Sequence, residues 1–400
     1  MSATPTPRDA GLPPPAVPAA PSSSSIQTPS PPNQIPASRS SDTTKPTILH
    51  LGDDIRWNHD LYAALRRTFN IERSYSMGRD EFKKALEEKR WGDFVGMYRP
   101  FWNTGGEMGN WDRELISLLP PSCRIYASAG AGFDWVDTRT LAAHNIIYCN
   151  SASACTESVV DIAIVHILST YRALPWSFLA ARSCDPLQFH DANQNIAAVT
   201  HNPNGTVLGI VGLGKIGFRL AVKAALAFEM RVWYHDVVRF EGREKELKDK
   251  GAGDVRYCPT LEELLGNSDC VVLCTPFSGS VLLSTEQFAQ FKYGARLVNI
   301  ARGKLVDEEA LAVALDEGKV SAAGLDVHEH EPGVNQVLAI RRNVMVTCHT
   351  AGASVESHVG FERLGMENLL GWWREGRSGV ISAVNLEWLV DDEGEEGEGK

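Results

Sequence analysis

The sequence predicts an α/β protein built on two doubly wound parallel sheets, and three observations carry that reading. Short β-branched runs alternate with helical stretches along most of the chain, the pattern of strands joined by crossover helices. The alternation lapses once, in a polar and irregular stretch from Asp185 to Asn204, and then resumes, so the strands fall into two sets. Residues able to do chemistry collect just after strands, where ligands bind in open α/β sheets.

Residues 1–46 precede the first set. They hold twelve of the chain's 21 prolines with many Ser, Thr and Ala. Such a segment offers little apolar surface to offset its ordering entropy and is expected to be a disordered tail. It carries only Arg8, Arg39 and Lys45 as cations, and its prolines oppose the amphipathic helix of a transit peptide. The first strands then read Thr47–Leu51, Asp93–Tyr98, Arg124–Ser128 and Ile146–Cys149, with helices over Arg79–Lys89 and Asp112–Leu118. A long apolar helix follows from about Thr156 to Tyr171.

The second set reads Val207–Val211, Arg231–His235, Cys270–Leu273, Arg296–Ile300, Ala322–Asp326 and Val344–Thr347, a sheet of about six strands. A last helix spans Val355–Arg374, and residues 391–400 form an acidic tail. The net charge of −11 argues against nucleic-acid binding, which needs clustered Lys and Arg. No uninterrupted apolar run reaches the ~18–20 residues of a membrane helix, so no membrane partner is expected. The eight cysteines lack zinc-finger or thioredoxin spacing, which implies reduced thiols and a cytoplasmic setting.

Gly212-Leu213-Gly214-Lys215-Ile216-Gly217 fits G-x-G-x-x-G between a buried strand and an apolar helix, Phe218–Phe228. Gly212 suits a tight turn, Gly214 close approach of a pyrophosphate, and Gly217 close packing of helix on strand. Asp236 follows at the end of the next strand. Its carboxylate suits the adenosine ribose of NAD and repels a 2′-phosphate. Arg239, three residues on, could instead hold that phosphate, so NADP is the alternative.

Three further motifs end strands: NIARG at Asn299–Gly303, GLDVHEHEP at Gly324–Pro332 and TCHTAGA at Thr347–Ala353. With GLGKIG and the earlier SAGAGFDWVD at Ser128–Asp137, they resemble the D-isomer-specific 2-hydroxyacid dehydrogenases from about Thr47 to Val390. AGAGFDW, HNPNG and GLDVHE have the character of the fungal D-mandelate dehydrogenases within that family. The resemblance implies two Rossmann-like domains around a deep cleft. A discontinuous substrate domain would comprise 47–153 and 354–390, and an NAD-binding domain 154–353, with hinges near Ala154 and Ala353. It implies that Arg302 clamps the substrate carboxylate with a bidentate fork, aided by the N–H groups of Gly130 and Ala131. His349 would be the proton donor and acceptor, with Glu331 on its other ring nitrogen. Asp326 and Thr275 would lie against the nicotinamide and its ribose, and Lys215, Ile216, Ala301, Arg302, His349 and Gly352 would also border the cofactor. His328 and His330 compete with His349 for its role, and their H-x-H spacing lacks the further ligands of a metal site.

The expected activity is hydride transfer between NAD(H) and C2 of a 2-oxo or D-2-hydroxy acid. Phe101, Trp102 and Trp135 near the substrate mouth favour a bulky aromatic or branched, mandelate-like acid. A glyoxylate or hydroxypyruvate reductase shares the same triad, and so does a dinucleotide-sensing co-repressor on the same fold. The family usually dimerises through its nucleotide domains, so a homodimer is expected, burying the apolar helix near Thr156–Tyr171.

Overall fold

A computed structural model describes residues 45–75, 77–101 and 108–389. Of the expected tails at 1–46 and 391–400, all but Lys45 and Pro46 lies outside the described residues, as does Trp102.

The first sheet has five parallel strands: β1 (Thr47–Leu51), β2 (Asn70–Ser74), β3 (Gly96–Arg99), β4 (Ile125–Ser128) and β5 (Ile147–Cys149). Their order is β2-β1-β3-β4-β5. Four of them match the β-branched runs. β2 escapes the hydropathy pattern because Asn70, Glu72 and Arg73 interrupt it. It is an edge strand, where one side of the ladder needs no partner and polar residues are tolerated.

The second sheet has seven parallel strands rather than six: β6 (Val207–Val211), β7 (Arg231–His235), β8 (Val255–Tyr257), β9 (Cys270–Leu273), β10 (Ala295–Asn299), β11 (Val320–Leu325) and β12 (Val344–Val346). The additional strand, β8, is a three-residue edge pairing with β7, too short to show a period. The order is β12-β11-β10-β9-β6-β7-β8. The order reverses between β6 and β9, and the crevice at their C-terminal ends is where such sheets bind ligands. Every residue of β6, β9 and β10 is buried, as expected of strands covered on both faces.

Three helices depart from the sequence reading. The long helix runs Ala152–Arg172, so Ala154 lies in its first turn. By length and composition it could cross a membrane. Here Val160, Ala163, Ile167 and Tyr171 are buried among Leu208, Ile210 and Val298 of the second sheet and its helices. The phosphate-loop helix begins at Lys215, inside the glycine motif, and runs to Phe228. The stretch read as irregular contains a helix, Pro186–Asn195. Asp185 caps it by accepting from Leu187 N at 2.9 Å, and Pro186 sits at its start. That cap-plus-proline signature was legible; the helix buries only Ala192, so no apolar period marks it.

After β12 the chain returns to the first sheet through the helix Val355–Glu375. Met366, Leu369 and Leu370 pack on Ile48, Tyr98 and Ile125. Glu362, fully buried, accepts from the backbone N–H groups of Arg56 (2.5 Å), Trp57 (3.1 Å) and Asn58 (2.9 Å) and from Asn58 Nδ2 (2.9 Å). A carboxylate with four donors is a strong clamp. Glu362→Ala is expected to cost about 2–4 kcal/mol, because the loop's N–H groups lose a charged acceptor. A lowered urea midpoint at unchanged m-value checks this.

Candidate active site

The glycine corner is built as a dinucleotide turn. Gly212 has φ +94°, and a Cβ there would stand 2.9 Å from the Cys274 carbonyl oxygen on β9's exit. A Cβ at Gly217 would stand 2.1 Å from Gly212 O, so only glycine lets this helix start so close to β6. A Cβ on Gly214, the residue before the helix, would meet nothing within 4 Å. The first turn therefore offers its N–H groups and dipole to open space, and the residues fit a bound pyrophosphate. Asp236 Oδ2 accepts from Leu213 N at 2.7 Å and Oδ1 from Val237 N at 2.8 Å. The acid is thereby fixed against the loop at the end of β7. Arg239 is committed elsewhere: its Nε and Nη2 hold Glu244 at 2.8 and 2.9 Å. Arg243 is the cation at the loop, donating to Leu213 O.

From this corner a cleft of about 1060 Å³ runs between the two sheets, at the upper end for small-molecule sites. Its wall brings together Gly130, Ala131, Ile216, Thr275, Ala301, Arg302, Asp326, Glu331, His349 and Gly352. Gly212, Gly214, Lys215, Gly217 and Asp236 adjoin it through Ile216 without lining it. Phe101 is buried away from the wall, against Trp57 and His358. Phe133 lines the cleft beside Trp135.

Three histidines follow β11 and β12, and their surroundings separate them. His349 Nδ1 donates to Glu331 Oε2 at 2.8 Å. His328 is buried, with Nε2 at 2.8 Å from the Thr347 carbonyl. The His330 side chain is 84% exposed. Burial opposes ionisation of Glu331, but the hydrogen bonds from His349 and from His328 N outweigh it and hold the carboxyl below its usual range.

His349 has φ +52°, an uncommon conformation for a side chain with a Cβ. Such strain costs of order 1–3 kcal/mol and persists only where neighbours over-determine it. Asp326 does so here. Its carbonyl accepts from His349 N at 2.7 Å. Its carboxylate accepts from Thr350 N (3.0 Å), Ala351 N (2.9 Å) and Thr347 Oγ1 (2.6 Å). Asp326 thus holds the histidine loop as well as bordering the cleft. His166, buried on the long helix, adds Nε2 to Thr347 Oγ1 at 3.1 Å. Neither His166 nor Thr347 announces this role in sequence: His166 is a lone residue on an apolar helix, and the TCHTAGA motif does not show that Asp326 is the partner of its Thr347.

Arg302 already makes two hydrogen bonds within the fold. Its Nε donates to Asp134 Oδ1 at 2.7 Å and its Nη1 to Ala301 O at 2.7 Å. Nε is therefore occupied by Asp134 and one N–H of Nη1 by Ala301. Asp134 sits inside the AGAGFDW stretch, whose glycines drew attention ahead of the acid.

The family model for the D-isomer specific 2-hydroxyacid dehydrogenase NAD binding domain matches residues 167–351. The 4-methyl-2-oxopentanoate reductase A of Aspergillus oryzae is 33% identical over 296 residues, 73% of this chain and 84% of that protein. The chain belongs to the D-isomer specific 2-hydroxyacid dehydrogenase family. Among solved structures of such dehydrogenases, the holo form of Rhodotorula graminis D-mandelate dehydrogenase is 38% identical, with a TM-score of 0.77 over 81% of this chain and 93% of that one. A glyoxylate reductase from Paecilomyes thermophila is 29% identical, with a TM-score of 0.76 over 85% and 98%. As a D-2-hydroxyacid dehydrogenase the protein is an oxidoreductase of small 2-oxo and 2-hydroxy acids, and its second sheet is the family's dinucleotide-binding unit.

Proposed function

We propose that the protein reduces bulky aromatic or branched 2-oxo acids to D-2-hydroxy acids with NADH. The observation that carries this reading is the loop that meets Arg302: it brings Phe133 and Trp135 into the cleft on either side of Asp134. A large apolar side chain beside the carboxylate receiver has a surface to bury against, whereas glyoxylate has none. The 38% identity to a D-mandelate dehydrogenase supports the same reading. Turnover of a panel containing glyoxylate, hydroxypyruvate, a branched and an aromatic 2-oxo acid tests it. The larger acids should exceed glyoxylate in kcat/KM by about 10–100-fold, the worth of burying one such side chain. The reverse order would make the protein a glyoxylate or hydroxypyruvate reductase, a reading to which the similarity to the Paecilomyes enzyme lends support.

In this mechanism the substrate is held by its carboxylate, between the Nη1/Nη2 end of Arg302 and the N–H groups of Gly130 and Ala131. A nicotinamide held along Ile216, Thr275 and Asp326 would supply or accept the hydride at the substrate's C2. His349 carries the proton on Nε2, because Nδ1 is committed to Glu331, and delivers it to the carbonyl oxygen during reduction. Glu331, accepting from Nδ1, fixes the ring's orientation. Asp326 holds the loop. The site needs both halves, a substrate half of residues 47–153 with 354–390 and a nucleotide half of 154–353. All eight cysteines are free, which suits a cytoplasmic enzyme.

A homodimer fits the surface. Ala152–Arg172 buries Val160, Ala163, Ile167 and Tyr171 in the chain's own core and leaves Val165 44% exposed. Further exposed apolar residues lie just beyond, on the helices Leu174–Arg182 and Pro186–Asn195, where Phe178, Phe189 and Leu187 are 59%, 55% and 78% exposed. Contiguous exposed apolar residues of this kind mark interaction sites. Sedimentation should give twice the chain mass at micromolar concentration, and Leu187→Glu with Phe189→Glu should shift it to monomer. A monomeric wild type would contradict this.

A further inference from the structure

Arg302 and Asp134 come from different halves of the fold: Arg302 follows β10 of the second sheet, and Asp134 follows β4 of the first. Their 2.7 Å hydrogen bond crosses the cleft, with the Arg302 side chain 25% and the Asp134 side chain 33% exposed. The guanidinium is fixed at three places. Asp134 takes Nε, Ala301 O takes Nη1, and Nη2 lies against the backbone of Gly132, where a Cβ would stand 1.3 Å from it. A long, rotamer-rich side chain is thus immobilised before any substrate arrives. Gly130 and Ala131, the other expected carboxylate donors, belong to the same loop as Asp134. One loop therefore sets both the backbone donors and the direction of the arginine.

We propose that Asp134 is a positioning residue for the reaction: it aims Arg302 so that the substrate carboxylate binds end-on at Nη1/Nη2, which sets the angle of the adjacent 2-oxo group. The proposal rests on the reading that Arg302 receives the substrate carboxylate. A carboxylate already on Nε blocks the alternative side-on geometry, both sterically and by like-charge repulsion. The charge of Asp134 is also a cost to substrate binding, so its value lies in alignment rather than in affinity. Alignment acts on kcat as much as on KM, because a misaimed carbonyl is off the near-attack geometry even when bound.

Asp134→Ala, Asp134→Asn and Arg302→Ala, assayed for 2-oxo acid reduction and for NADH binding by fluorescence, separate the possibilities. Asp134→Ala should lower kcat by about 10–100-fold through misalignment, with KM raised less than kcat falls. Asp134→Asn keeps an acceptor for Nε and should recover at least about fivefold of that lost kcat, with KM at or below wild type because the opposing charge is gone. NADH affinity should be unchanged in both, which excludes a general loss of fold. A fall in KM with unchanged kcat in Asp134→Ala would overturn the proposal, since Asp134 would then only compete with substrate. Equal damage from Ala and Asn would overturn it too, because charge and not position would be the cause. Arg302→Ala should raise KM strongly. If it did not, the carboxylate reading itself would fail, whatever the Asp134 variants did; if it did while Asp134→Ala behaved as wild type, only the positioning role would fall.

Discussion

His349→Ala is expected to lower kcat for 2-oxo acid reduction by about 10²–10⁴-fold, the usual loss on removing a general acid. Dinucleotide binding should survive, because the glycine corner is held by β6, β7 and Asp236 and not by the histidine loop. His330→Ala is the control, since its side chain is 84% exposed and pairs with Glu329, while Glu331 accepts from His349. His328→Ala is a poor control despite its similar place in the motif, because its buried ring supports the Thr347 carbonyl. Loss of turnover in His330→Ala with retention in His349→Ala would overturn the assignment. Glu331→Gln tests the same pair by pH. A carboxyl held low in the folded protein stays charged until pH falls below the ordinary carboxylate range, so Glu331 supports His349 throughout neutral conditions. The acid limb of the wild-type kcat profile should therefore lie below the ordinary carboxylate range, and Glu331→Gln should lower kcat and lose that limb, having no carboxylate to protonate; an acid limb left in place by Glu331→Gln would show that it does not belong to Glu331.

Asp236→Ala is expected to raise the kcat/KM ratio for NADPH over NADH by about 10–100-fold, because a carboxylate beside a 2′-phosphate meets strong like-charge repulsion. The matching measurement is the NADPH dissociation constant, which should fall in parallel. The cation that receives the phosphate in that variant is expected to be Arg243 and not Arg239. Both Asp236 and Arg243 touch Leu213, one at its N–H and one at its carbonyl, whereas Arg239 is held by Glu244. Adding Arg243→Ala should remove most of the gain. Equal use of both dinucleotides by the intact enzyme would show that Asp236 does not discriminate.

The reach of sequence reasoning differed between these two sites. The glycine corner was legible because a single local stretch does the work: a strand, a tight turn and a helix start within Val207–Phe228. The His349–Glu331 pair was legible only through a resemblance, since nothing in H-x-H or in a lone His says which ring meets the acid. Arg239 was read by proximity in sequence to Asp236, and Glu244 five residues further on took it away. Asp134, Thr347 and His166 were missed for a common reason. Their partners are 168, 21 and 181 residues distant, and no periodicity encodes such pairings. The strands that escaped, β2 and β8, sit at sheet edges, where burial no longer imposes an apolar pattern.

The clamp made by Glu362 has a consequence for how the chain must be born. The loop it holds follows the first strand, yet the carboxylate arrives some 306 residues later. The first sheet leaves the ribosome early, with Ile48, Tyr98 and Ile125 presenting an apolar face that Leu65 and Phe69 cover in part and that Met366, Leu369 and Leu370 complete. The whole second sheet is synthesised and can close on itself in the interval. At about 5–20 residues per second the wait lasts some tens of seconds, in a state with exposed hydrophobic surface of the kind that aggregates or recruits chaperones. Truncation before the final helix should therefore yield a nascent chain whose second half resists protease while its first half does not, and whose recovery from denaturant depends on protein concentration.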